Sequence, residues 1–297
     1  MNSHDTKQRL LHRDRSARAI TTDGCFRAAA IINTQTVTDA QRRHATDPVA
    51  SLLLGRALSA ASLLATFLKG EERVSIELMG NGLFKKVFAE ALQVGEVRGY
   101  VEANAHPERE EEPLGIGLLR VTRVLYGKFE PISGVVALQK ANVSSDLSYY
   151  LTQSEQIPSA VRLDVNIDST GIIQQSAGVM VQAMPGATED EILKVQESLA
   201  ALGSVADAAA SGLTVEDILR KVMPGEIEII NKTPIDFFCR CSLERYKSIL
   251  LTLGLEEIQS MYDAKQRELV CHYCNTAYTV SDADFEELLS QLRAQKN

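Results

Sequence analysis

The residues FFCRCS at 237–242 and VCHYCN at 270–275 decide how this chain is read. Cys239 and Cys241 form a C-x-C pair, Cys271 and Cys274 form a C-x-x-C pair, and 29 residues lie between the two. Four thiolates satisfy a tetrahedral Zn²⁺ with no other ligand, so two such pairs can converge on one ion. The second pair has ordinary zinc-site spacing. The first is tighter, with Cα atoms at most about 7 Å apart, near the upper edge of the ~4.4–6.8 Å that a disulfide spans. Each pair could therefore also close on itself as a short-loop disulfide, labile and redox-responsive. A structural zinc knot and a redox-switched zinc site both fit the spacing.

Size and charge narrow the partners. A chain of 297 residues can hold one large core and a smaller module. Its net charge of −8 is uneven. Residues 1–178 balance, 179–231 hold 3 basic against 9 acidic residues, and 232–297 hold 8 against 10. The thiol-bearing end is thus not a basic patch, which counts against phosphate-backbone binding. Trp is absent and aromatics are sparse, which weighs against base stacking. The opening MNSHDTKQRLLHRDRSAR is charged and lacks the apolar core of a secretion signal. No uninterrupted apolar run reaches membrane-spanning length. A cytoplasmic, non-membrane protein is expected, and there clustered thiols are more often metal-bound than permanently cross-linked.

Periodicity predicts an α+β fold. Residues 18–34 read as strand with a turn near Asp23-Gly24, and Cys25 as a small buried hydrophobe. Residues 46–69 read as a buried helix opened by Asp47-Pro48. Alternation around Val74–Leu78, Lys86–Leu92, Glu96–Val101, Leu114–Thr122 and Ile132–Leu138 predicts an antiparallel meander. Residues 105–113 read as a charged loop. Ser144–Gln156 reads as a helix capped by Ser and Asp, and 160–167 with 172–183 as paired strands.

After Met184-Pro185-Gly186 the character changes. Thr188-x-x-Glu191 is a capping box for a helix with Ile192, Val195, Leu199 and Leu202 on one face. An Ala/Ser/Gly-rich loop and a second short helix, 215–222, follow. These helices have narrow apolar stripes, so their stability must come from docking. Glu226–Ile230 is strand-like and leads toward the thiols. Helices are expected at 242–253 and 255–262, a hairpin carrying Cys271 and Cys274 at 269–280, and a last helix capped by Ser281 and Asp284. So small a module usually needs a staple, which a metal would supply.

Taken together, the thiol pattern, VRGYVEAN at 97–104, GIGLLRVTR at 115–123, DLSYYLTQSEQIPSAVRLDV at 146–165 and VMVQAMPGAT at 179–188 resemble the 33-kDa redox-regulated heat-shock chaperone family of bacteria. The likeness spans nearly the whole chain, although SAGVMVQAMPGA at 176–187 is a variant of a more glycine-rich family run. It implies an α+β client-binding core over 1–180, a helical switch linker over 181–231 and a zinc/redox-switch module over 232–297. It implies that Cys239, Cys241, Cys271 and Cys274 hold one zinc ion in the reduced form, with His272 outside the ligand set. Oxidation would form Cys239–Cys241 and Cys271–Cys274 disulfides, release zinc, unfold the linker and expose a surface that holds unfolded client proteins. The oxidised form would be a homodimer. No phosphate-cradling G-x-x-x-x-G-K-[ST] loop is present, so ATP should not be required, and no enzymatic activity is expected. Two rivals remain at this stage: a zinc-ribbon nucleic-acid binder, and a thiol–disulfide oxidoreductase using Cys271 and Cys274, which would want that pair at a helix N-terminus.

Overall fold

The computed structural model describes residues 14–295, so most of the charged opening stretch lies outside the described residues. The chain divides at Phe238/Cys239 into two compact units, Met1–Phe238 and Cys239–Asn297.

The first unit is built around one helix. Its opening hairpin, β1 (Arg15–Thr21) and β2 (Phe26–Ile32), turns at Asp23-Gly24, with Gly24 at φ +76°. A helix missing from the sequence reading follows, α1 (Thr34–His44). Then comes α2 (Pro48–Ala65), whose N-cap Asp47 accepts the Ala50 N–H at 2.9 Å. The helix α2 is apolar nearly all round because both of its sides face strands. Among the described helices it alone is long and apolar enough to cross a membrane, yet 78 % of it is buried inside the protein. At Gly55 a Cβ would stand 2.7 Å from Val37 of α1 and 2.9 Å from the strand residue Val165, so only glycine lets the helix pass this close.

Two sheets flank α2, where the sequence suggested one. The remaining elements of the unit are β3 (Arg73–Gly80), β4 (Phe84–Leu92), β5 (Glu96–Ala103), β6 (Gly117–Val124), β7 (Ile132–Ala137), α3 (Val143–Gln153), β8 (Ser159–Ile167), β9 (Ile173–Ala183), α4 (Glu189–Leu202), α5 (Val205–Ala210), α6 (Val215–Val222), β10 (Ile227–Pro234) and β11 (Asp236–Phe237). One sheet runs β10-β1-β2-β9-β8, the other β11-β5-β4-β3-β6-β7. Among the described residues every strand pair is antiparallel except β11 on β5. Helix α3 is capped by Asn142, which accepts the Ser144 and Ser145 N–H groups, rather than by its own Ser and Asp. Asp146 is fully buried and instead accepts three N–H groups, those of Gln139, Lys140 and Asn142.

The acidic helices α4–α6 are packed on the five-stranded sheet. Thr188/Glu191 and Thr214/Asp217 form reciprocal capping boxes for α4 and α6. The stretch read as an Ala/Ser/Gly loop contains the short helix α5. Val195, Leu199, Val205, Val215, Ile218, Leu219 and Val222 form one buried cluster with Ala17, Ala19, Phe26, Ala28, Ala30, Val179 and Val181 of the strands. Gly178, one residue out of phase with Val179, turns toward Leu63 of α2. Strand side chains alternate between faces, so α2 and the acidic helices cover opposite faces of the same sheet. Strand β10, read as leading into the thiol module, pairs along β1 and completes that sheet.

The second unit comprises α7 (Leu243–Leu250) running into a 3₁₀ turn at Leu251–Leu253, α8 (Leu255–Asp263), a hairpin of β12 (Glu268–Val270) and β13 (Ala277–Thr279), and α9 (Asp282–Gln295). Its described core is small: Leu250, Ile258, Val280, Phe285, Leu288, Leu289 and Leu292.

Candidate metal centre

Two pieces of irregular backbone present the four thiols. Cys239 and Cys241 lie on the segment between β11 and α7, whose N-cap is Ser242. Cys271 and Cys274 occupy the turn of the β12–β13 hairpin. There the N–H groups of Cys274 and Asn275 both reach the Cys271 carbonyl, at 3.3 and 2.7 Å, while Asn275 takes φ +55°. That turn folds the second pair of sulfurs to one side of the hairpin.

All four sulfurs lie within 4.8 Å of one another. Sulfurs also approach closely across the pairs, at 3.8 Å for Cys239–Cys271 and 3.4 Å for Cys241–Cys274. All four are free thiols, half-buried in the first pair and buried in the second. An ion with bonds of about 2.3 Å to four sulfurs needs sulfurs roughly 3.8 Å apart, so the donor set and its spacing fit a Cys₄ zinc site. His272 is exposed and stands outside this group of donors. Cys25 is half-buried at its hairpin turn, not fully buried as expected, and packs at the edge of the strand–helix cluster.

The comparisons with known proteins agree with this geometry. A family profile described as Hsp33 protein matches residues 14–281. The chain belongs to the Hsp33 family. The 33 kDa chaperonin of Desulforamulus reducens is 35% identical over 94% of this chain and 98% of its own length. That of Bacillus subtilis is 35% identical over 94% and 99%. The crystal structure of the Thermotoga maritima 33 kDa chaperonin superposes with a TM-score of 0.82 at 30% identity, covering 94% of this chain and 98% of that one. The mixed α+β architecture and the chaperone assignment follow from membership.

Three hydroxyl groups that the spacing argument missed address the sulfurs of this Hsp33 chain. Tyr278 Oη lies 3.1 Å from Cys241 Sγ and 3.0 Å from the Cys241 carbonyl. Tyr246, in the first turn of α7, hydrogen-bonds Cys271. Thr276 Oγ1 is 3.2 Å from Cys274 Sγ. The only sequence signal for these is nearness to the motifs, since Thr276 and Tyr278 follow Cys274 by two and four residues and Tyr246 follows Cys241 by five. Their effects are unequal. Burial pushes the Cys241 thiol up to about 12, with the Tyr278 bond opposing it. Burial also opposes ionisation of Cys271, yet bonds from Tyr246 and from the backbone of Tyr273 and Cys274 outweigh it and hold that thiol down at about 7. The C-x-x-C sits in a hairpin turn between β12 and β13 and does not itself open a helix, unlike the setting that a dithiol oxidoreductase would need.

Proposed function

We propose that this chain is an ATP-independent holdase whose activity is switched by oxidation of Cys239, Cys241, Cys271 and Cys274. One observation carries the reading: four free thiols, from pairs 29 residues apart, meet within 4.8 Å inside a unit whose apolar core is small.

Cys239, Cys241, Cys271 and Cys274 would hold one zinc ion as thiolates. When bound, zinc supplies a cross-link worth on the order of 10 kcal/mol of folding free energy. A hydroperoxide or hypochlorite converts one thiolate to a sulfenic acid, and a neighbouring thiol displaces water from it to close a disulfide. The pairs formed would be Cys239–Cys241 and Cys271–Cys274, as the family resemblance implies. Paired sulfurs no longer serve as ligands, and residues 239–297 lose the cross-link their few apolar side chains cannot replace.

The helices α4–α6 then leave the five-stranded sheet. This segment suits such a role because its buried stripe is narrow and its outer surface is acidic. Its departure uncovers both the stripe and the alanine- and valine-rich strand face, an apolar surface able to hold exposed segments of unfolded clients. Oxidised copies pair as homodimers, no nucleotide or catalysis is involved, and the protein works in the cytoplasm.

The test follows zinc content and suppression of client aggregation together through a peroxide titration. One zinc per reduced chain, lost as suppression rises, supports the switch. Zinc release with no rise in suppression refutes it.

A further inference from the structure

At the thiol cluster, the Tyr278 hydroxyl has a sulfur and a carbonyl of the same cysteine both within hydrogen-bond reach. It stands on β13 opposite Leu269 of β12, on the hairpin that carries Cys271 and Cys274. From there its hydroxyl crosses to the other pair, reaching Cys241 over a separation of 37 residues. Its ring stacks obliquely on that of Tyr246 with centroids 5.4 Å apart, which fixes the phenol's direction from the α7 side.

A phenol carries one proton and here has two acceptors. A thiolate is the stronger acceptor, because hydrogen bonds to ionised groups are about twice as strong as neutral ones. A disulfide sulfur is a poor acceptor, so the bond to sulfur is lost once Cys241 is oxidised. The bond to sulfur therefore exists in the reduced state only. It draws electron density from the Cys241 sulfur and weakens it as a nucleophile toward peroxide.

We propose that Tyr278 is a positioning residue that sets the oxidant threshold of the switch, by donating its hydroxyl proton to the Cys241 sulfur in the reduced state and losing that bond on oxidation. The claim rests on the thiolate-cluster reading above. The step it governs balances: two thiolates give up two electrons and form one S–S bond, and the hydroperoxide O–O bond takes those electrons and, with two protons, leaves as water and an alcohol, or as two waters from hydrogen peroxide.

The experiment compares wild-type full chain, Tyr278→Phe and Tyr262→Phe. Tyr262, half-buried like Tyr278, packs on Phe285 in the same unit, at 5.5 Å between centroids, and so controls for loss of a phenol hydroxyl. Zinc affinity, the rate of thiol loss to hydrogen peroxide and the sulfur-to-metal charge-transfer band of the cobalt-loaded protein are measured. In Tyr278→Phe zinc affinity should fall by about tenfold, the usual size of an outer hydrogen-bond loss at a metal site. Thiols should oxidise faster, and the band should move to lower energy as the sulfur becomes a better donor. A purely structural role would lower thermal stability and leave the band in place. An unshifted band with a wild-type oxidation rate in Tyr278→Phe overturns the proposal. Failure of the wild-type chain to bind cobalt through sulfur would instead overturn the thiolate-cluster reading beneath it.

Discussion

The Oδ2 of Asp164, on β8, accepts the backbone N–H of Val205, the first residue of α5, at 2.7 Å. Two residues along the strand, Asn166 Nδ2 donates to Asp207 Oδ1 at 2.6 Å. Arg162, on the same strand, donates to the Gly203 carbonyl. One edge of the five-stranded sheet thus holds the start of α5 through three side chains.

Replacing Asp164 with Ala leaves the Val205 N–H without its acceptor, which costs about 1–3 kcal/mol for a buried donor. Amide exchange should accelerate across 203–211 while β8 and β9 stay protected. Reduced Asp164→Ala should also suppress client aggregation at lower oxidant than wild type. Unchanged exchange in 203–211 would show that this carboxylate does not restrain the helix.

Ile218 on α6 is fully buried against the strand face. Truncation to Ala should cost about 2–5 kcal/mol, and most of that loss should fall on the helical segment, not on α2. Hydrogen exchange in 189–222, compared with exchange in 48–65, measures it.

Withdrawing metal from reduced protein with a chelator should abolish the near-ultraviolet signal of Tyr246, Tyr262 and Tyr278 and expose 239–295 to proteolysis. The unit Met1–Phe238 should keep its strands. A chelated, fully reduced chain that retains protection in α7–α9 would contradict the zinc assignment.

Sulfurs of different pairs stand in contact, Cys239 with Cys271 at 3.8 Å and Cys241 with Cys274 at 3.4 Å. The expected disulfides nevertheless lie within each pair. Peptide mapping by mass spectrometry after peroxide treatment should recover Cys239 joined to Cys241 and Cys271 joined to Cys274. Cross-pair products as the main species would replace unfolding by a locked, cross-linked module.

Hydrogen bonds from Ser281 and then Lys247 hold the Asp284 carboxyl at about 2, below its ordinary 3.8. A depressed carboxylate stabilises the fold above the unfolded value, and this contribution is lost as pH falls through the folded value. Reduced wild-type protein should therefore lose stability in residues 239–295 between about pH 4 and 2. Asp284→Asn should be less stable than wild type at pH 7 and should show a shallower loss over that range. Parallel thermal melts of the two proteins from pH 7 to 2 check both statements.

Much of this was written locally. The Asp47-Pro48 start of α2, the Thr188 and Thr214 boxes and the hairpin around Cys271 and Cys274 each depend on residues within a few positions of one another. Helix α1 was not legible for the opposite reason. Its N-cap residue, Asn33, makes no side-chain cap bond; Asp14, about twenty residues earlier, accepts the Gln35 and Thr36 N–H groups instead, at 3.2 and 2.6 Å. Its C-terminus turns at Ala45 with φ +48°, where a glycine would have been the signal. Helix α5 is too short to show periodicity. The place of β10 depends on a partner strand, β1, some two hundred residues away.

The amino-acid sequence by itself determined the donor chemistry, since two close thiol pairs admit few uses, and it determined the alternation and capping that produce an α+β chain. Only the tertiary structure decided that the pairs meet within 4.8 Å, that Tyr278 reaches Cys241, and that the acidic helices lie on a strand face. The reason is range. Propensity and capping act over one or two turns of chain, whereas sulfur–sulfur distances and buried faces are set by closing loops of tens to hundreds of residues, whose free energy is carried by contacts no short window contains.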